Sequence, residues 1–457
     1  MIPQLNTYFE RIDDIGEIMW GIGPTQFPQF ISESSDDKIY NTEEENAIAD
    51  YNSENKDSGK DLSNFTHACG TYNSLPRFIK NLINKGSPCS IAFCKMYEIC
   101  CDTEIGKAIN NLLEAHVKLN IMCLAEAPGA FPLAILYYIG NRYPKALKEL
   151  EKVKSLKDLL PSPSRTDMAN ANVERPGELY SYMCTTLNPS TIPTALGDDY
   201  KMIECNPSKW IYMDHTSPED TEKFVKEHSN RYTFVTSDIG KVKSVSTLLE
   251  RDMFQEQLGT FIAACACLEN KGFACLKMFS CTLPSTSSLL KLATYLFDKT
   301  HMFKPLASRI SNSENYWILT GFNRDRFNLE PLLSILRSAK SVLNNNTNSE
   351  PPYYPAFVHI DECIILRLYR LNIAMYARKT AIKKESLRLF LQWRENTPET
   401  IRNLDKASYY YIKKFTKEAS KEGGMHYEYI QHWIDTHPIA PIDNDIIRRV
   451  MNIDLDC

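Results

Sequence analysis

Between residues 63 and 325 the chain alternates short apolar runs with longer amphipathic segments. Short apolar runs bounded by turn residues predict buried strands, and apolar positions at helical spacing predict helices between them. Strands are predicted over residues 120–126, 182–187, 200–204, 232–237, 272–278, 302–307 and 316–322. Helices are predicted over residues 91–101, 218–227, 248–268 and 287–300, and another begins near Phe131. This alternation predicts an α/β fold with an open, mostly parallel sheet and helices on both faces.

The pattern divides the chain into three regions. Residues 1–62 form an acidic N-terminal extension, whose first 60 residues carry 13 acidic and 4 basic side chains, and its composition predicts partial disorder. Residues 63–325 form the predicted α/β domain, which is interrupted at about 144–178 by a surface insertion of loop-like composition. Residues 326–457 form a linker and a basic, helical C-terminal region.

The C-terminal region contains 14 basic and 6 acidic side chains between residues 364 and 422. This excess of positive charge indicates contact with a polyanion, although the same charges also suit the solvated faces of helices. The tyrosines at 409–411 are followed by Lys413 and Lys414. Aromatic rings beside positive charges are typical of single-strand nucleic-acid binding, but they also suit the packed face of a helix.

Composition places the chain among ordinary globular proteins. Its 457 residues are 43% hydrophobic and 24% charged, which argues against collagen-like, fibrous or wholly disordered chains. The longest nearly apolar run, at 258–268, is far shorter than the ~20 residues of a membrane-spanning helix. The chain begins without a basic segment followed by an apolar run, so a cytoplasmic protein is expected. The 14 cysteines include no C-x-x-C pair, which favours reduced thiols over a zinc site.

The first candidate for chemistry is the turn E-A-P-G-A-F, which runs from Glu126 to Phe131 after the first strong strand. Gly129 lets the backbone approach a ligand closely, and the helix N-terminus that follows favours a negative group. Glu126 is placed to bind an amino or hydroxyl group. The G-x-G-x-x-G fingerprint of dinucleotide-binding enzymes is absent, which argues against a dehydrogenase. Proline-glycine turns between strand and helix also occur without any ligand.

Four further segments place a charged residue inside or beside an apolar stretch. They are F-C-K-M-Y-E-I around Lys95, F-V-T-S-D-I-G around Asp238, F-A-C-L-K-M-F around Lys277, and S-R-I-S-N-S-E-N-Y-W around Glu314. Buried charges are rare unless they are paired, so each one alone is explained by an ordinary ion pair. All four in this order after a proline-glycine turn indicate a common site.

These segments resemble the motifs of FtsJ/RrmJ-type S-adenosylmethionine (SAM)-dependent RNA 2'-O-methyltransferases. Within that superfamily, the chain is most similar to the mRNA cap methyltransferases of large cytoplasmic DNA viruses, such as the African swine fever virus type. The resemblance covers about residues 63–325. It rests on K-M-Y-E at 95–98, the P-G turn, T-S-D-I-G, L-K-M-F and S-R-I-S-N-S-E-N-Y, which match in order. It implies a Rossmann-like methyltransferase sheet.

The resemblance also implies a catalytic Lys-Asp-Lys-Glu tetrad, which falls on Lys95, Asp238, Lys277 and Glu314. Two positions depart from the family pattern. The usual P-G-G reads P-G-A, with Ala130 in third place, and the usual S-R-P reads S-R-I at 308–310. The alanine adds a methyl group beside the implied path of SAM.

The implied SAM site consists of Glu126, Pro128, Gly129, Ala130, Phe131, Asp214 and Asp238. Asp214 is chosen as the acid that contacts the adenosine because it follows an apolar stretch and precedes a helix. The cap of that helix explains the same position equally well. Asp198 and Asp199 compete for the adenosine role.

The implied reaction moves a methyl group from SAM to a ribose 2'-hydroxyl, and Lys277 is the expected base. A lysine ordinarily has a pKa of about 10.4. Burial and the second cation, Lys95, are expected to lower the pKa of Lys277. Asp238 and Glu314 are expected to hold the lysines in place, and Asp238 also to steer the methyl donor. This step is expected to require no metal.

The expected substrate is capped RNA, methylated at the cap-proximal nucleotide, and other capping or transcription proteins are expected partners. Arg309 is placed to contact an RNA phosphate or to pair with a carboxylate. Two alternatives stay open at this point. The chain could methylate uncapped or ribosomal RNA, or it could be a non-catalytic RNA-binding or scaffold subunit that keeps the fold.

Overall fold

The computed structural model describes residues 72–143, 180–190, 198, 200–240, 249–309, 312–346, 352–358, 368, 417, 420–424 and 426–451. Several predictions lie outside the described residues. These are the acidic extension at 1–62, the whole surface insertion at 144–178, and the tyrosines at 409–411 with the lysines that follow them.

A seven-stranded sheet forms the centre of the described structure. Its strands are β1 (Leu119–Leu124), β2 (Tyr180–Thr186), β3 (Trp210–Tyr212), β4 (Tyr232–Ser237), β5 (Leu268–Met278), β6 (Phe297–Phe303) and β7 (Asn315–Phe322). The order across the sheet is β3-β2-β1-β4-β5-β7-β6. The first five strands are parallel, and β7 is antiparallel to both β5 and β6. This arrangement confirms the predicted Rossmann-like, mostly parallel α/β fold.

Twelve α-helices lie within the described residues. They are α1 (Leu75–Ile79), α2 (Ile91–Asp102), α3 (Glu104–Glu114), α4 (Ala130–Arg142), α5 (Met202–Cys205), α6 (Pro218–His228), α7 (Leu249–Asp252), α8 (Phe254–Cys267), α9 (Pro284–Leu296), α10 (Leu329–Asn344), α11 (Tyr427–Thr436) and α12 (Asn444–Met451). Local sequence explains several of their ends. Ser90 caps α2 by accepting a hydrogen bond from the Phe93 N–H, and Thr103 ends α2 and caps α3.

Alternate residues of the strands enter two hydrophobic cores, one on each face of the sheet. In β1, Leu119, Ile121 and Cys123 lie in the core that α2 and α4 cover, which we call core A. Met122 and Leu124 lie in the core that α8, α9 and α10 cover, which we call core B. A period of two is what a strand buried on both faces requires, and it decides which face each later side chain reaches.

The C-terminal part of the chain packs on core A. Ile430 and Trp433 of α11 and Ile447 of α12 are buried in the same cluster as α2 and α4. The predicted helical character of this region is therefore confirmed where the structure describes it. Within the described residues, no helix combines the length and apolar character needed to cross a membrane. The described cysteines are free thiols, and most of them are buried.

Several predicted elements differ from the structure, and one strand was missed. The strand predicted at 302–307 is displaced, since β6 begins at Phe297 and ends at Phe303. The strand predicted at 200–204 is wrong, because this segment forms the short helix α5, which buries Met202 against Gly129. The strand β3 was not predicted; it lies at the sheet edge and contains only three residues. The helix predicted over 287–300 ends at Leu296, because Phe297 begins the edge strand β6, which pairs with β7. Pairing and packing override local helical spacing here.

Candidate active site

The strand period brings two charged residues to the same face of the sheet. Phe234 of β4 and Phe273 and Cys275 of β5 lie in core A, so Asp238 and Lys277 follow on that side. Both residues lie at the carboxyl ends of their strands, where parallel sheets bind ligands.

The other two predicted residues reach this edge from different directions. Because β7 is antiparallel, Glu314, immediately before it, meets the end of β5, where Asn315 pairs with Met278. Lys95 comes from α2, the helix that covers the same face.

These four side chains form one cluster of ion pairs. Glu314 Oε1 lies 2.5 Å from Lys95 Nζ, and Glu314 Oε2 lies 3.3 Å from Lys277 Nζ. Lys277 Nζ also lies 3.3 Å from Asp238 Oδ1. Lys95 and Glu314 are buried, while the Asp238 side chain keeps 21% of its surface exposed. The cluster therefore has an opening to solvent on the side of Asp238 and Lys277.

The structure reverses the expected direction of the Lys277 pKa. Burial by itself lowers the pKa of this ammonium, but the carboxylates of Asp238 and Glu314 outweigh burial, and the net pKa is raised. Burial likewise favours the neutral form of Glu314, yet Lys277 and Lys95 hold the pKa of this carboxyl well below its usual range. Lys277 is therefore a cation in the free protein. The prediction considered Lys95 and burial but underestimated the two carboxylates.

Further groups hold the cluster from outside. The Tyr316 hydroxyl donates to Asp238 Oδ1 (2.9 Å), and the Ser308 hydroxyl donates to Glu314 Oε1 (2.7 Å). Lys304 Nζ donates to the Glu314 carbonyl oxygen (2.6 Å). Sequence reasoning missed these three residues, although Ser308 lies within the S-R-I-S segment. The neighbouring Arg309 is exposed to solvent, as contact with an external ligand requires.

The proline-glycine turn is more tightly packed than predicted. Gly129 has a φ of +106°, which favours glycine, and a Cβ there would lie 2.3 Å from Met202 Sδ. Ala130 begins α4 and is buried in core A, next to Pro128 and Gly129 in the chain. Phe131 packs against Tyr316, with 6.1 Å between ring centroids. The turn therefore connects directly to the tyrosine that contacts Asp238.

Glu126 is the residue of this turn with free binding capacity. Its Oε1 accepts a hydrogen bond from the Phe131 N–H (2.7 Å), while its Oε2 is buried and has no hydrogen-bond partner among the described residues. Burial raises the pKa of this carboxyl well above its usual value. A buried acceptor without a partner is costly, so it suits an amino or hydroxyl group of a ligand.

The acids considered for the adenosine occupy local turns. Asp214 Oδ1 accepts hydrogen bonds from the backbone N–H (2.9 Å) and hydroxyl (2.8 Å) of Thr216. The cap of α6 is instead Ser217, whose hydroxyl accepts from the Asp220 N–H. Asp198 Oδ2 accepts from the Glu204 N–H (2.8 Å). Asp199 lies outside the described residues.

Sequence reasoning also missed Thr185 and His215 at this edge of the sheet. Thr185 Oγ1 accepts a hydrogen bond from the Ala125 N–H (2.9 Å) and also forms a hydrogen bond with His215 Nε2 (2.8 Å). His215 Nδ1 is buried and has no partner among the described residues. Burial lowers the pKa of His215 to about 4, so the ring is neutral. The sequence feature that could have indicated His215 is its position directly after Asp214.

The sheet order is that of a Rossmann-like methyltransferase fold. Residues 166–322 match the family model described as FtsJ-like methyltransferase. This match confirms the resemblance drawn from the motifs, and the matched stretch contains Asp238, Lys277 and Glu314. Lys95 lies before it.

Three relatives show the range of the similarity. The Uncharacterized protein L511 of Acanthamoeba polyphaga mimivirus is 31% identical over 205 residues, covering 41% of this chain and 25% of the relative. The Cap-specific mRNA (nucleoside-2'-O-)-methyltransferase 2 of Pongo abelii is 26% identical over 353 residues, covering 72% of this chain and 39% of the relative. The "Probable methyltransferase EP424R" of African swine fever virus (isolate Pig/Kenya/KEN-50/1950) is 25% identical over 164 residues, covering 32% of this chain and 38% of the relative. The chain thus spans about a quarter to two fifths of these relatives.

Proposed function

We propose that this protein transfers a methyl group from SAM to a ribose 2'-hydroxyl of RNA, at the cap-proximal nucleotide of mRNA. The observation that carries the proposal is the compact cluster of Lys95, Asp238, Lys277 and Glu314 at the carboxyl edge of the sheet. The name of the Pongo abelii relative supports mRNA caps as the target. A protein of this kind would act in the cytoplasm, with capped RNA as substrate and other capping or transcription proteins as partners.

The residues around the turn at 126–131 suit SAM. The unpartnered Oε2 of Glu126 is a buried acceptor for the amino group of the methionine part. Asp238 follows β4 and lies between this turn and Lys277, so it faces the methyl donor from the other side. Bound SAM would supply an electrophilic methyl group on a positively charged sulfur. Asp214 would contact the adenosine through Oδ2, because Oδ1 already accepts both hydrogen bonds from Thr216.

The charge balance of the cluster suggests how Lys277 becomes a base. Two lysines and two carboxylates balance each other in the free protein. A positively charged ligand beside these four groups favours loss of a proton from one of the lysines. Lys277 is the lysine next to the opening, so it is the one that loses the proton. Neutral Lys277 then accepts the proton of the 2'-hydroxyl as that oxygen attacks. Lys95 stays charged and remains paired with Glu314. The negative charge of Glu314 is therefore shared between the two lysines and does not act on Lys277 alone.

Alignment of the reactants contributes alongside proton transfer. Tyr316 and Ser308 fix the carboxylates of Asp238 and Glu314, and these in turn fix both lysines. Holding two reactants in line is worth up to ~7–11 kcal/mol in well-ordered sites, which is more than one general base supplies. The rigid surroundings of the cluster are therefore as important to the proposal as Lys277 itself.

Methyl transfer from labelled SAM to short RNAs tests the proposal. Capped and uncapped RNAs of one sequence are compared, and nuclease digestion locates the label. Transfer to capped RNA alone supports the proposal. Equal transfer to both RNAs would mean that the substrate is RNA in general and that the cap is not required. A titration with SAM accompanies the assay. Absence of SAM binding would favour a scaffold that keeps the fold.

A further inference from the structure

We propose that Glu98 is a positioning residue that couples the C-terminal helix α11 to the tetrad. The inference rests on the proposed function, because it assigns a role in that reaction. Glu98 lies on α2, one helical turn after Lys95. It is almost completely buried.

Glu98 joins three separate parts of the chain. Its Oε2 accepts hydrogen bonds from Trp433 Nε1 of α11 (2.8 Å) and from the Ala307 N–H (3.0 Å). Its Oε1 accepts a hydrogen bond from the Leu306 N–H. The two oxygens of a carboxyl group offer enough lone pairs to accept all three bonds. The lysine-bearing helix, the loop before β7 and the C-terminal helix therefore meet on one side chain.

The loop that Glu98 holds leads directly to the tetrad. Ser308 follows Ala307, and its hydroxyl donates to Glu314 Oε1, the same oxygen that contacts Lys95. Lys304 closes this loop by donating to the Glu314 carbonyl oxygen. Glu98 thus helps to fix both partners of the contact between Lys95 and Glu314. It fixes Lys95 through α2, and it fixes Glu314 through the loop.

The segment around α11 is anchored beyond this one bond. The Tyr97 hydroxyl donates to the Pro438 carbonyl oxygen (2.7 Å), and His437 Nε2 lies 3.0 Å from Asp102 Oδ2. Trp433 is fully buried and stacks on His437, with 4.5 Å between ring centroids. Docking therefore has several independent contacts, and loss of the Trp433 N–H alone leaves the helix in place.

Two substitutions separate positioning from docking. Glu98→Gln keeps the volume of the side chain, but its amide NH₂ is a donor and must face one of the three N–H groups. Trp433→Phe keeps an aromatic ring in the core but removes the N–H together with part of the indole. Tyr97→Phe is the matched control, since it removes a hydrogen bond between the same helix and the same C-terminal segment without touching the loop.

The experiment compares the three variants with the unchanged protein in two measurements. We expect Glu98→Gln and Trp433→Phe to lower kcat by about 10- to 100-fold and about 3- to 10-fold, with KM for RNA and the affinity for SAM within about threefold, because misplacement of reacting groups acts on the rate. Tyr97→Phe is expected to keep kcat within twofold. A kcat within twofold of the unchanged protein for Glu98→Gln, or an equal loss in Tyr97→Phe, would overturn the proposal.

Hydrogen–deuterium exchange supplies the second measurement and does not depend on activity. At least one of the Leu306 and Ala307 amides is expected to exchange at least tenfold faster in Glu98→Gln than in Tyr97→Phe, because the NH₂ of glutamine replaces one of the two acceptor oxygens. Unchanged exchange at these amides would refute the positioning role even if the protein showed no methyl transfer. Faster exchange in a protein that transfers no methyl group would instead refute the proposed function and leave the structural coupling in place.

Discussion

Glu314 Oε2 and Lys277 Nζ lie 3.3 Å apart because β7 runs antiparallel to β5. A parallel strand in that place would carry the residue before it to the opposite edge of the sheet. The reversed strand therefore puts the carboxylate beside the lysine that ends β5. This single topological feature completes a charged cluster whose other members come from β4 and α2.

Substitution of Lys277 tests its role as the base. Lys277→Ala is expected to lower kcat by roughly 100- to 10,000-fold, the usual contribution of a positioned general base. Its fold and its affinity for SAM are expected to change little, as followed by circular dichroism and calorimetric titration. Lys271→Ala is the control, because this lysine is exposed on the same strand and pairs with Asp298. A fully active Lys277→Ala protein would remove Lys277 from the mechanism.

Acid stability is expected to depend on Glu314. Its pKa is lowered in the folded protein, so its ionisation stabilises the fold above the ordinary carboxyl pKa of about 4.5, and this contribution is lost as the pH falls below that value. Denaturant unfolding at pH 6 and pH 3.5 measures the loss. Glu314→Gln is expected to lose less stability over this range than the unchanged protein. An identical loss in both proteins would contradict the charge assignment.

Glu250 is expected to act in the opposite direction. Its Oε1 accepts hydrogen bonds from the Thr282 N–H (2.9 Å) and the Leu283 N–H (3.0 Å) at the start of α9. Burial raises its pKa to about 7. A carboxyl group whose pKa is raised by folding stabilises the fold fully at pH values below its pKa in the unfolded chain. This contribution is lost as the pH rises from about 4.5 to about 7.

Unfolding experiments at pH 5 and pH 8 test this direction. The shift corresponds to a decline of up to about 3 kcal/mol in the free energy of unfolding. Glu98 has a similar raised pKa of about 7 and adds to the decline in the unchanged protein. The raised pKa of Glu126 acts in the same direction, so Glu250→Gln is expected to remove part of the slope. A slope that Glu250→Gln leaves unaltered would show that this carboxyl is ionised throughout.

Packing at the proline-glycine turn has its own test. Gly129→Ala combines a strained positive φ with a clash against Met202 Sδ, so it is expected to lower the free energy of unfolding by more than about 3 kcal/mol. Gly423→Ala is the matched control, because Gly423 has a φ of +78° and nothing lies near its Cβ position. It is expected to cost about 1 kcal/mol. Equal losses in thermal or urea unfolding would mean that Met202 does not constrain the turn.

The sequence was sufficient to predict the mostly parallel sheet and the residues of the charged cluster. Apolar runs identify β1, β4, β5 and β7, and charges that follow or interrupt such runs identify Asp238 and Lys277. Local patterns could not give the order of strands across the sheet. They also could not show that Met202 belongs to a helix, since its burial comes from a contact with Gly129.

Long-range contacts explain the remaining differences. The pKa of Lys277 was predicted in the wrong direction because its value depends on two carboxylates brought close by the fold. Glu98 carried no separate signal, although it was part of the K-M-Y-E segment, because its partners lie more than 200 residues away along the chain. Sequence spacing identifies the residues of such a site, whereas the balance of charges between them requires the structure.

The central claim is that this cluster methylates the ribose 2'-oxygen of capped RNA. The most direct measurement is mass spectrometry of nucleosides from capped RNA that has been incubated with SAM and either the unchanged protein or Lys277→Ala. We expect a 2'-O-methylated cap-proximal nucleoside with the unchanged protein and almost none with the variant. A methyl group on a base, or equal 2'-O-methylation by both proteins, would contradict it.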